Sequence, residues 1–151
     1  MSDGLAVDRC EIIVTGKPVA AARSRSTRNG HHYTPDDYRE YLELVKGSWM
    51  VAGRPRLPDS QPLAATCTFY LERPATHLRA NGELRKGKPS HPIYTPDIDN
   101  LVKALIDGVT DHKKRGPAAI RDDAPIVELC ARKRYAPAGI EPHAVLVLQV
   151  Y

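Results

Sequence analysis

The residues best placed to do chemistry are acidic. Asp97 and Asp99 stand two apart, Asp122 and Asp123 are adjacent further along, and Asn100, Lys103 and Asp107 lie between the two groups. At about 100° per residue, Asp99, Asn100, Lys103 and Asp107 fill the polar arc of a helix, opposite an apolar stripe centred on Leu105 and Val109. Asp97 falls at the helix start, where the backbone is not yet regular, so it and Asp99 can aim at one point. If the strand after Asp122-Asp123 lies beside that helix start, three or four carboxylates meet. Carboxylates that close repel and demand a cation or a shared proton. Hard oxygen donors without Cys or His select Mg²⁺ or Mn²⁺. Magnesium keeps several waters and takes a few carboxylates with substrate phosphate oxygens, which suits phosphodiester hydrolysis. Lys103, one turn past Asp99, could stabilise charge developing on a phosphate.

Spacing alone leaves plainer readings open. Asp97 could be an N-cap, Asp99 and Lys103 an i,i+4 ion pair, and Asp122-Asp123 a turn. A calcium-binding loop of the EF-hand kind is excluded, because Leu101 follows the D-x-D pair with no glycine in register.

These carboxylates need elements to hold them. Glu11–Thr15 reads as a first strand, ended by Gly16 and Pro18. From Gly16 to Thr34 the chain carries Lys17, Arg23, Arg25 and Arg28 and no acid, beside His31 and His32, with Asn29-Gly30 offering a tight turn. Thr34-Pro35-Asp36-Asp37 then predicts a helix start, with Thr34 as cap and Pro35 at the first helical position. Behind it Tyr38, Tyr41, Leu42, Val45 and Trp49 share one face to about Val51. Leu63–Leu71 reads as a strand, and Glu72–Tyr94 as an exposed, mobile loop. Ile98, Leu101, Val102, Leu105, Ile106 and Val109 mark the clearest amphipathic helix, closed by a basic turn at Lys113, Lys114 and Arg115. Ile126–Tyr135 and His143–Val150 complete the chain as two strands, expected to form a hairpin across Pro137-Ala138-Gly139. The order β-α-β-α-β-β implies an α/β protein of the α+β type, a mixed sheet flanked by two main helices.

Bulk properties agree with one domain over residues 1–151. The chain is 42% hydrophobic and 26% charged, has a net charge of +4, and carries few aromatics and thirteen prolines. Its three cysteines, Cys10, Cys67 and Cys130, are widely spaced with no C-x-x-C, and are expected to be reduced and buried in a cytoplasmic protein. Met1–Arg9 has no apolar core of a signal peptide, and no apolar run approaches a membrane span. Histidine pairs with zinc spacing, a G-x-S-x-G, a P-loop and a Cys-His pattern are all lacking, so covalent catalysis has no candidate. Trp49, Tyr38 and Tyr41 are expected in the core.

The run Tyr94-Thr95-Pro96-Asp97-Ile98-Asp99-Asn100-Leu101-Val102-Lys103-Ala104, with Asp107, then Asp122-Asp123-x-x-Ile126-Val127 and Lys133, resembles the RusA family of crossover junction endodeoxyribonucleases. The likeness extends to a first strand ending Gly-x-Pro, the Arg-rich loop and Tyr33-Thr34-Pro35 opening a helix, so it spans Ile12 to Tyr135. It implies metal ligation by Asp97, Asp99 and Asp123, with Lys103 catalytic and Asn100, Asp107 and Asp122 in support. It also implies Mg²⁺, with Mn²⁺ as substitute, and a homodimer that resolves Holliday junctions by paired nicks in bacterial or phage-infected cytoplasm, at the nucleoid. Lys17, Arg23, Arg25 and Arg28 would then contact phosphates of the four-way junction, without reading bases. Two features depart from compact members: the longer loop Arg73–Ser90, and Pro125 in the D-D-A-P-I run, where a backbone donor is lost. A branched-DNA-binding module that does not cleave, and a metal-binding structural protein, are the alternatives from other classes.

Overall fold

The computed structural model describes residues 4–23, 25–33 and 35–151, with the backbone alone at Arg25, His32 and Tyr33. Its centre is a four-stranded mixed sheet. β2 (Arg9–Thr15) pairs antiparallel with β8 (His143–Val150), β8 antiparallel with β6 (Leu63–Leu71), and β6 parallel with β7 (Ile126–Tyr135). Three two-residue pieces precede or follow β2: β1 (Leu5–Ala6), β3 (Arg25–Ser26) and β4 (His32–Tyr33). The fourth such piece, β5 (Pro55–Arg56), pairs parallel with β1, and β3 pairs antiparallel with β4. Asn29-Gly30 does lie in the turn of that β3–β4 hairpin, with Gly30 at φ +76° and its N–H donating to Thr27 O at 3.0 Å.

Alternation decides which face is covered. β2 runs exposed-buried without a break, putting Cys10, Ile12 and Val14 on one side. Cys67 and Phe69 of β6 and Ala144, Leu146 and Leu148 of β8 join them in one core. Two helices cover that face. In α1 (Asp36–Val51) the residues at helical spacing, Tyr38, Tyr41, Leu42, Val45 and Trp49, are all buried. α2 (Ile98–Gly108) buries Leu101, Ala104, Leu105 and Ile106, and Val109 follows fully buried. Each large apolar side chain so buried contributes about 1.5–3 kcal/mol, so the helices are held by these stripes more than by propensity. The helices meet closely at Gly108: a Cβ there would stand 2.6 Å from Val45 Cβ.

Three expectations need correcting. The last two strands form no hairpin, because β8 inserts between β2 and β6 while β7 takes the sheet edge. The composition explains it: β8 is apolar on its core face, whereas β7 carries Glu128, Arg132, Lys133 and Arg134, charges that an edge tolerates. The chain from β6 to β7 is instead a parallel crossover through α2. Second, Cys130 is exposed on that edge strand, although Cys10 and Cys67 are buried, and all three are free. Third, α1 begins at Asp36, with Pro35 in the flanking cap position and making no side-chain cap. The proposed cap at Thr34 lies outside the described residues.

The segment from Glu72 to Tyr94 has no long element but closes on itself. A 3-10 turn at Ala75–His77 starts it, Leu78 bridges Leu84, and Arg73 donates to Pro89 O at 2.8 Å and Ser90 O at 3.3 Å while stacking on Tyr135. Among the described residues no helix is long and apolar enough to cross a membrane.

Candidate active site

The crossover sets α2 over β7, and a groove of about 520 Å³ opens between them. Ile98, Val102 and Ile106 of α2 face Ile126, Leu129 and Ala131 of β7 across it. Asp99, Lys103 and Asp107 line the same groove from the helix, and Asp123 lines it from the turn before β7. Asp99, Lys103 and Asp107 reach the groove by sharing one helix face, and Asp123 reaches it through the crossover.

Asp97 comes just before. Its backbone is extended, φ −73° and ψ 142°, and its carbonyl accepts the first helical hydrogen bond, from Leu101 N at 3.1 Å. It occupies the N-cap position, yet its carboxylate does not cap the helix. The plain N-cap reading therefore describes its backbone and leaves its side chain unused. In the chain Asp97 stands between Ile98, which lines this groove, and Tyr94, Thr95 and Pro96, which line a second one of about 490 Å³ with Lys17, Arg73 and Tyr135. Lys133 of β7 holds this approach, its Nζ donating to Tyr94 O at 2.8 Å and Pro96 O at 2.9 Å. The Thr95–Pro96 peptide is cis.

The polar partners sort the acids. Asp99 Oδ1 accepts from Asn100 N at 2.9 Å, a local bond that leaves the exposed carboxylate largely free. Asp122 Oδ1 accepts from Ala124 N at 3.3 Å, which makes it the turn-former of its pair. Asp123 gives its carbonyl to Ile126 N at 3.0 Å, and its exposed carboxylate has no hydrogen bond or ion pair among the described residues. Asp107 is spent: its Oδ2 accepts from Tyr38 OH at 2.7 Å and from Lys103 Nζ at 3.1 Å. Lys103 therefore pairs with Asp107 one turn on, and not with Asp99 one turn back. Burial first, then the Asp107 hydrogen bond and charge, push the Tyr38 hydroxyl well above the usual phenol range, so it remains a donor.

Asn100 and the basic loop meet at the helix start. Asn100 O accepts from Ala21 N at 2.9 Å, and Ala21 and Ala22 pack on Tyr38, Leu42 and Ala104. The stretch leading to Arg23 is thereby tied to the first turn of α2. Lys17, Arg23 and Arg28 are exposed, and the side chain of Arg25 lies outside the described residues. At the other end of α2, Arg115 donates to Asp107 O at 3.2 Å, which suits the helix dipole, while Lys113 and Lys114 are exposed.

Among the described residues no group of three or more His, Cys, Asp and Glu side chains is gathered as a metal cage. Asp99 and Asp123 share a groove, and Asp97 directly precedes Ile98, which lines it. Such a set fits Mg²⁺, which is usually held by one or two carboxylates while keeping most of its waters. Two residues bonded to the surroundings of this groove carry no such signal in the sequence pattern. Tyr38 carries the signal of a core residue, since its ring is buried and only its hydroxyl reaches Asp107. Lys133 sits in the matching motif, but its role depends on a strand-to-loop contact that no local period encodes.

Comparison with known proteins gives no match among curated ones. Against protein families, residues 15–141 match Endodeoxyribonuclease RusA, a stretch that includes the basic loop, both helices, the groove and β7. The chain belongs to the RusA family of endodeoxyribonucleases.

Proposed function

We propose that this protein is a single-domain, Mg²⁺-dependent endonuclease that resolves Holliday junctions and related branched DNA by paired phosphodiester hydrolysis. The observation that carries the reading is the groove in which Asp99, Lys103, Asp107 and Asp123 meet from α2 and the turn before β7. Asp97, Asp99 and Asp123 supply the hard oxygens that would hold Mg²⁺, or Mn²⁺ in its place. When bound, the ion supplies Lewis-acid stabilisation of the scissile phosphate and activates water. Lys103 offsets phosphate charge as the bond breaks, and Asp107, itself held by Tyr38, keeps that ammonium on the groove side of α2. Asn100 fixes the basic loop against the helix start through its carbonyl. Asp122 shapes the turn that presents Asp123. Lys17, Arg23, Arg25 and Arg28 contact junction phosphates, a sequence-independent and salt-sensitive mode of binding. A four-way junction offers two equivalent strands, and a two-fold homodimer supplies two sites for them.

The test is incubation of the protein with an end-labelled four-way junction and Mg²⁺, beside linear duplex of the same sequence. Symmetric nicks in opposite strands of the junction, lost in EDTA and absent from the duplex, are the expected result. Junction binding with no nicking in either Mg²⁺ or Mn²⁺ would replace this reading with that of a binding module, and no binding at all would remove DNA from the account.

A further inference from the structure

The acids of the site sit on separate pieces of chain, and something must set the distance between them. Asp99 belongs to α2. Asp123 sits three residues before β7 and is placed by the backbone turn into that strand. Asp97 belongs to neither, because its side chain does not cap α2 and its backbone is still extended. The peptides just upstream decide where its carboxylate points.

Those peptides are gripped by one side chain. Lys133 pairs with Phe69 in the parallel β6–β7 register, so it stands on the helix-covered face of the sheet edge. From there its Nζ donates to two carbonyls, Tyr94 at 2.8 Å and Pro96 at 2.9 Å, the second belonging to the peptide that enters Asp97. An ammonium has three donors and no acceptor, so it can bind two carbonyls that would otherwise be free to turn with the loop. Both Asp123 and, through Lys133, Asp97 are then referenced to the same strand. We infer that Lys133 is a positioning residue that fixes Asp97 against Asp123, making β7 the common frame of the ion site. This rests on the metal-ligand role proposed for Asp97.

A lysine that merely stabilised the loop would behave differently, and the difference is measurable on the whole protein without any cleavage assay. Mn²⁺ affinity, read from the electron paramagnetic resonance of free ion, and amide hydrogen exchange at Thr95, Asp97 and Ile98 are compared in wild type, K133M, K133R, D97N and the D97N/K133M pair. K133M keeps the aliphatic stem and loses every donor; K133L serves if K133M does not fold. The inference expects K133M to bind Mn²⁺ about 10–100-fold more weakly, the range for partners that orient a ligand, with faster exchange at Asp97 and Ile98. K133R, which can still donate to both carbonyls, should recover to within about threefold of wild type. In the D97N background, removing Lys133 should change Mn²⁺ affinity by less than about twofold, since the two residues act as one unit. Wild-type Mn²⁺ affinity in K133M, or an undiminished loss in the D97N background, would overturn the inference. A wild type that binds Mn²⁺ but leaves junctions intact would refute the nuclease reading and leave the clamp standing, whereas a wild type with no Mn²⁺ affinity would end both.

Discussion

Replacing Tyr38 by Phe isolates one hydrogen bond that joins the core to the site. The Tyr38 ring is only 7% exposed and stays in place in Phe, so packing is unchanged. What disappears is the 2.7 Å bond from its hydroxyl to Asp107 Oδ2. A hydrogen bond to a charged group contributes about 1.5–3 kcal/mol, and a buried acceptor left without a partner costs about 1–3 kcal/mol. Asp107 keeps 31% side-chain exposure and its 3.1 Å contact to Lys103, so water can replace part of the loss. That places Tyr38→Phe near the lower end, at about 1–2 kcal/mol. The Lys103–Asp107 pair cannot compensate, because Lys103 is 63% exposed and such surface pairs contribute about 0–1 kcal/mol. Urea unfolding of wild type, Y38F, D107N and the double variant reads this directly. A coupling energy of about 1 kcal/mol or more between the two positions is expected. Y38F should also slow junction cleavage, because Asp107 would hold Lys103 less firmly. A Y38F protein as stable as wild type, or strict additivity with D107N, would refute the argument.

Alkaline pH should weaken the fold through Cys67. Burial, with a smaller contribution from nearby Cys130, pushes this thiol from its ordinary value of 9.0 up to about 12. A raised folded-state pKa means that the stability it reflects is complete below pH 9.0 and is lost as pH climbs toward about 12. Over that window Cys67→Ala should flatten the stability profile by about 1.4 kcal/mol per pH unit, measured by urea unfolding between pH 8 and 11; parallel profiles would contradict the burial argument. In the basic loop, R23A and R28A should each weaken junction binding uniformly across sequences and lower the log–log salt slope by about 1, and an unchanged slope would take these residues off the phosphate backbone.

Much of this arrangement was legible in the residues, for reasons that differ element by element. The stripes of α1 and α2 are long enough that period alone identifies their buried faces, and all five marked residues of α1 are buried. The strand-like runs of β2, β6, β7 and β8 are visible in the sequence, but their pairing is not. Register and order depend on which strand a sheet can leave at its edge, a comparison of β7 with β8 that neither sequence contains by itself. The same limit applies to the site. Asp99, Lys103 and Asp107 share a helix face and could be grouped by arithmetic. Asp123 joins them only because the parallel crossover lays β7 beneath α2. The i,i+4 ion pair that spacing offers between Asp99 and Lys103 is not the one formed: Lys103 bonds Asp107, whose carboxylate Tyr38 holds in reach. The two-residue strands β1, β3, β4 and β5 are too short for any period to announce them.

The carboxylates Asp97, Asp99 and Asp123 are the proposed seat of cleavage. Its most direct test is single-turnover nicking of a labelled four-way junction by Asp97→Asn and Asp123→Asn, with junction binding measured in Ca²⁺ alongside. Each variant should bind the junction about as well as wild type and lose more than about a hundredfold in nicking rate, beyond the 10–100-fold typical of an outer partner. An Asp97→Asn protein that cuts at the wild-type rate would contradict the central claim.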